Sequence, residues 1–211
     1  MPRWKPVESW KDRDVYIIGG GDSLRTFEFD LLKPECTIGC NDAYTLGESV
    51  CKICIFGDMK WFNIHRFELM KFKGLIFTSH HELLRTREEW IWTIERQPKG
   101  LSLTKLCWNK STGANAINLA LILGAKRVYL LGFDCKLSSD NKPNWHDHII
   151  NPPNAEVYKR FNESFNVLKS FLPRKFPGRE IINITDDSNL DAFPKIGIKE
   201  WLLELHQQQS H

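Results

Sequence analysis

Val15-Tyr-Ile-Ile-Gly-Gly-Gly-Asp-Ser23 decides the reading of the fold. Four apolar residues run straight into three glycines, an acid and a serine. A short, non-alternating apolar run bounded by glycines reads as a strand buried on both faces. Glycines at its end permit positive φ and close main-chain approach, so backbone N–H groups can converge on an anion at a following helix start. The third glycine of the dinucleotide fingerprint G-x-G-x-x-G would fall at Leu24, and no Gly-Lys-Ser/Thr follows. The stretch is therefore neither that fingerprint nor a P-loop. A tight turn with Ser23 capping a helix is the plain alternative.

Outward from this stretch, apolar runs alternate with helical patterns. Strands are expected at 15–18, 36–40, 52–56, 74–78, 127–131 and 180–184. Helices are expected at 22–32, 61–72, 114–123, 155–172 and 199–208. Such alternation implies an α/β fold with a doubly wound, mostly parallel, Rossmann-like sheet. Residues 80–109 break the rhythm with His80-His81, Trp90, Trp92, Trp108 and a Pro-Lys-Gly turn. They read as an excursion, either a hairpin or a lid, whose tryptophans would equally suit a dimer interface. The whole chain, 1–211, reads as a single nucleotide-binding domain.

In doubly wound sheets, ligands sit beyond the carboxyl ends of the strands. That makes Gly19, Gly20, Gly21, Ser23, Asn41, Asp58, Asp134 and Ser188 candidates, since each follows a strand. Asn41 can donate and accept, which suits a base edge or a sugar hydroxyl; capping the next segment is the competing reading. Ser111-Thr112-Gly113 opens a small-residue helix, where N–H groups and the helix dipole favour phosphate. Asp134 precedes a loop with Asn144-Trp-His-Asp-His148. His146 or His148 would serve as general base; Asp134, His146 and His148 would alternatively hold a divalent metal, or the histidines are simply loop residues.

Taken together these motifs resemble two related Rossmann-like groups. One is the bacterial sialyltransferases that use CMP-sialic acid. The other is the 6-hydroxymethylpterin diphosphokinase-like proteins, many from phages and prophages, which are similar above all in Gly-Ala-Lys-Arg-Val-Tyr-Leu-Leu-Gly-Phe-Asp134 followed by Trp-His146. The sialyltransferase resemblance implies nucleotide contacts from Gly19, Gly20, Gly21, Ser23, Asn41 and Asp58. It implies a donor-holding turn at Ser111, Thr112 and Gly113, and a base at His146 or His148. Of the tyrosines with which that family grips the departing phosphate, only Tyr158 has a counterpart nearby. The diphosphokinase resemblance implies instead that Asp134 and Asp58 hold Mg²⁺ on ATP.

The leading expectation is a glycosyltransferase that uses a nucleotide-sugar donor, with inversion at the transferred sugar. Mg²⁺ or Mn²⁺ would assist, and the acceptor would be a glycan or a modified nucleic acid. A Mg-ATP diphosphokinase of a pterin-like alcohol is the second reading. A non-catalytic phage particle or interaction protein is the third.

Composition permits all three. The 211 residues can bury one sizeable core, and a net charge of +3 is too mild to announce nucleic acid. No signal peptide or membrane span is visible. The six cysteines sit mostly in apolar segments, as reduced core cysteines do, which points to the cytoplasm.

Overall fold

The computed structural model describes residues 7–83, 85, 88–140, 142–146 and 154–209. Its centre is a seven-stranded sheet of β1 (Asp14–Ile18), β2 (Cys36–Cys40), β3 (Ile53–Phe56), β4 (Leu75–Thr78), β5 (Trp92–Thr93), β8 (Arg127–Leu131) and β9 (Glu180–Asn183). The spatial order is β5-β4-β3-β2-β1-β8-β9, and every pair is parallel. The expected fold class is the observed one. The chain steps outward from β1 to β5, then crosses back to lay β8 on the other side of β1. Strand order therefore reverses at β1, and a cleft opens there at the carboxyl ends.

Alternate residues of each strand feed opposite faces. Val15 and Ile17 pack with Ala116, Leu119 and Ala120 of α2 (Thr112–Ile122) and with Phe165 and Leu168 of α3 (Ala155–Lys175). Tyr16 and Ile18 face the other way, onto Trp201 and Leu205 of α4 (Ile198–Gln209). On the same side, Cys54 and Phe56 meet Trp61 and Phe62 of α1 (Met59–Leu69). At the amino end of β1 and β8, Arg127 forks onto Asp14 with bonds of 2.9 and 2.6 Å.

Two expectations about the elements change. Residues 22–32 form two 3-10 turns, Asp22–Leu24 and Phe29–Leu32, rather than a helix. Phe27 must reach Trp201 while Phe29 reaches Trp145, with ring centroids 6.1 and 5.2 Å apart. Residues two apart on an α-helix cannot share such a face. The excursion is no hairpin: β5 extends the main sheet, and β6 (Arg96–Gln97) pairs in parallel with β7 (Leu106–Cys107). Trp108 closes over Gly57, where a Cβ would collide with its ring, and the Arg96 guanidinium stacks on the same ring at 4.3 Å. Trp90, Trp92 and Trp108 are all half-buried.

Candidate active site

The cleft at the reversal point has a volume of about 440 Å³. The carboxyl ends of β1, β2 and β8 supply its floor. The first turn of α2, one face of α3 and the loop at Pro143, Asn144 and His146 supply its walls. Gly19, Gly20, Gly21, Asn41, Asp58, Ser111, Thr112, Gly113, Asp134 and His146 all line it. Ser23 and Ser188 do not. His148 lies outside the described residues.

The three glycines serve close approach, and none adopts positive φ. A Cβ on Gly19 would stand 2.6 Å from the Gly132 carbonyl oxygen. A Cβ on Gly21 would collide with the Asp134 carboxylate. That carboxylate accepts from the Ser23 N–H at 2.9 Å and from its hydroxyl at 2.5 Å. Burial pushes the Asp134 carboxyl up from 3.8, and these two bonds oppose the rise. Gly20 lies under the side-chain amide of Asn144. Its carbonyl accepts from the Trp145 N–H, and the Gly19 carbonyl accepts from the Trp145 indole, both at 3.0 Å. The glycine turn is thus the platform on which the histidine loop is seated.

Two further candidates have structural employment. Asp58 caps α1, accepting from the Lys60 and Trp61 N–H groups at 2.7 and 3.2 Å through one oxygen. The Ser188 hydroxyl donates to the Phe133 carbonyl at 2.6 Å and accepts from the Asn183 amide and the Leu190 N–H. Among the described residues, no three His, Cys, Asp or Glu side chains gather as a metal-binding set. Both Asp134 oxygens are engaged by Ser23.

Asn41 ends β2 in the left-handed region, φ 51°, which asparagine tolerates better than most residues. Its Oδ1 is buried without a hydrogen-bond partner, an arrangement that in a native fold calls for an explanation. Ser111 caps α2, whose first-turn N–H groups point towards the cleft. Gly113 lets that turn approach Phe133, since a Cβ would come within 2.6 Å of its ring. Across the cleft, the Tyr158 hydroxyl is buried and unpartnered, and burial pushes the phenol up to about 12. It is a neutral donor at neutral pH.

Sequence reasoning missed three features of this cleft. Arg160, two residues beyond Tyr158, places a cation on its rim. The only signal was the face of α3 shared by Val157, Tyr158, Phe161 and Phe165. Asp42, which follows Asn41 at a strand end and reads from sequence equally as a ligand contact or a cap, is buried at the cleft wall. Its Oδ2 accepts from the Trp61 indole at 2.9 Å and stands 3.8 Å from His146 Nε2. Trp61 itself lines the wall beside Asp42, and its place at the start of α1 was the only hint.

No protein-family profile and no curated protein matches the chain. Solved structures do. The sialyltransferase CstII from Campylobacter jejuni, in complex with cytidine-5'-monophosphate, superimposes with a TM-score of 0.53 over 89% of this chain and 86% of that one, at 14% identity. The fold resembles that of a sialyltransferase. The same enzyme in complex with CMP-3FNeuAc gives a TM-score of 0.49 at 14% identity, covering 87% of this chain and 85% of that chain. No helix among the described residues is long and apolar enough to cross a membrane.

Proposed function

We propose that the cleft binds a cytidine nucleotide sugar and transfers its glycosyl group to an acceptor hydroxyl. The observation that carries this reading is convergence. The N-terminus of α2, the unpartnered Asn41 Oδ1, the unpartnered Tyr158 hydroxyl and the His146 imidazole all border one cleft at the reversal of strand order. The shared fold with a CMP-binding sialyltransferase supports the choice of nucleotide.

In this reading the α2 N–H groups and the Tyr158 hydroxyl hold the phosphate, and Asn41 Oδ1 accepts from a sugar or base N–H or O–H. His146 takes the proton of the acceptor hydroxyl as its oxygen attacks the anomeric carbon. The bond from that carbon to the phosphate oxygen breaks, and the electron pair leaves with the nucleotide. Donors aimed at the charge that develops there lower the barrier, because they need no reorganisation as it forms. The sugar inverts, since attack and departure occur on opposite faces.

The diphosphokinase alternative needs Asp134 and Asp58 free to hold Mg²⁺. Asp134 accepts from Ser23 through both oxygens and Asp58 caps α1 through one; no step is assigned to a cation.

A thermal-shift screen of CMP, UDP, GDP, ADP and ATP, each with and without Mg²⁺ or Mn²⁺, tests the reading. Ligand at about 100 times its Kd stabilises a fold by about 2.7 kcal/mol, a readily visible shift. Stabilisation by CMP without metal is expected. Stabilisation by ATP only with Mg²⁺ would favour the kinase, and no shift with any nucleotide would sink both enzyme readings.

A further inference from the structure

Behind His146 runs a line of buried polar groups that nothing in the cleft explains. Asp42 is the second residue of the 3-10 segment Asn41–Leu46 after β2, and its side chain is 6% exposed. One oxygen faces His146 Nε2 at 3.8 Å and holds the Trp61 indole at 2.9 Å. The other stands 3.5 Å from Nε2 of His65, on the inner face of α1. His65 Nδ1 in turn lies 3.0 Å from the Tyr44 hydroxyl. The Trp61 and His65 rings stack at 4.6 Å, and Tyr44 packs edge-on against both. Four polar side chains, Tyr44, His65, Asp42 and His146, therefore form one string from the helix layer to the cleft wall.

A carboxylate and two imidazoles are expensive to bury, and apolar residues of similar volume would often hold α1 to β2 as well or better. Their geometry suits a different task. A carboxylate beside one ring nitrogen fixes which nitrogen carries the proton and how the ring is turned. It also stabilises the imidazolium that forms when the ring accepts a proton. His65 stands against the other Asp42 oxygen at 3.5 Å, and the Tyr44 hydroxyl lies 3.0 Å from the far nitrogen of that ring.

We propose that Asp42, clamped by Trp61 and backed by His65 and Tyr44, is the positioning residue for His146. The proton leaving the acceptor hydroxyl lands on the imidazole, and the resulting positive charge is opposed by the Asp42 carboxylate until the proton passes to solvent. This rests on the reading of His146 as the base, so the test carries one arm that needs no turnover.

Asp42→Asn preserves volume and keeps an acceptor for the Trp61 indole. The full-length chain and this variant are compared in CMP binding, in turnover of CMP-N-acetylneuraminic acid, and in the ¹⁵N NMR spectrum of the ligand-free His146 ring. Asp42→Asn is expected to leave the Kd for CMP within about twofold and KM nearly unchanged. It should lower kcat by about 10²-fold or more, the scale of a misplaced general base, with Asp42→Glu recovering part of the loss. It should also change the His146 ring-nitrogen signals, because the carboxylate 3.8 Å from Nε2 is replaced by a neutral amide. Wild-type kcat in Asp42→Asn, or His146 signals identical to wild type, would overturn the proposal and leave the string a structural tie. If the wild type consumes no CMP sugar, the functional reading fails separately. The ring-nitrogen comparison then still decides whether Asp42 positions His146.

Discussion

Gly21 has no room for a side chain, because Asp134 already occupies the space a Cβ would need. Gly21→Ala should cost about 1–3 kcal/mol, as over-packing does in a filled site, read from urea denaturation. Asp134 carries its own signature. Burial raises its carboxyl pKa in the folded chain above 3.8, so the protonated form favours folding. The stability gained below the unfolded value is lost as pH rises through the folded one. Asp134→Asn does not titrate, and it should gain stability relative to wild type as pH rises from the unfolded value of 3.8 through the raised folded one. Denaturation midpoints that keep a constant gap over that range would contradict this. The glycine run was legible as a place where main chains approach closely. Its partner was not: the same three residues serve a phosphate or a protein loop, and only tertiary structure shows Trp145 seated on their carbonyls.

Two elements shape the cleft. The first turn of α2 owes its position to Gly113, which lets it touch Phe133. Gly113→Ala should push that turn away and weaken CMP binding by about tenfold, the loss of roughly one phosphate hydrogen bond. The histidine loop is held by Trp145, which bonds to Gly19 and Gly20 and leans on Phe29. Trp145→Phe keeps the ring contact and loses the indole bond. It should reduce kcat by roughly tenfold, the worth of one hydrogen bond, with CMP affinity unchanged in calorimetry. The strands and the start of α2 were readable because buried parallel strands are continuous apolar runs and because Ser111 is a good cap. Residues 22–32 were not, because Phe27 and Phe29 answer to rings on α4 and on the histidine loop. No local pattern records those partners. The surroundings of Asp42 were hidden for the same reason: an acid after a strand reads equally as a ligand contact or a cap until Trp61, His65 and His146 are brought around it.

At the scale of the molecule, one topological fact organises the rest. The order of strands reverses at β1, so the glycine turn, Asn41, α2 and the histidine loop meet although 127 positions separate Gly19 from His146. Alternation of strands and helices predicts such a meeting place, and the sheet order locates it between β2, β1 and β8. The fold is shared with a CMP-binding sialyltransferase at only 14% identity, which is why the chemistry has to be argued from the cleft itself. The most direct test pairs calorimetric CMP binding with turnover of CMP-N-acetylneuraminic acid, in wild type and in His146→Ala. The account predicts that wild type binds CMP and consumes the donor, while His146→Ala binds with the same Kd and turns over at least about 10²-fold more slowly. A wild-type chain that ignores CMP, or a His146→Ala variant as fast as wild type, would contradict it.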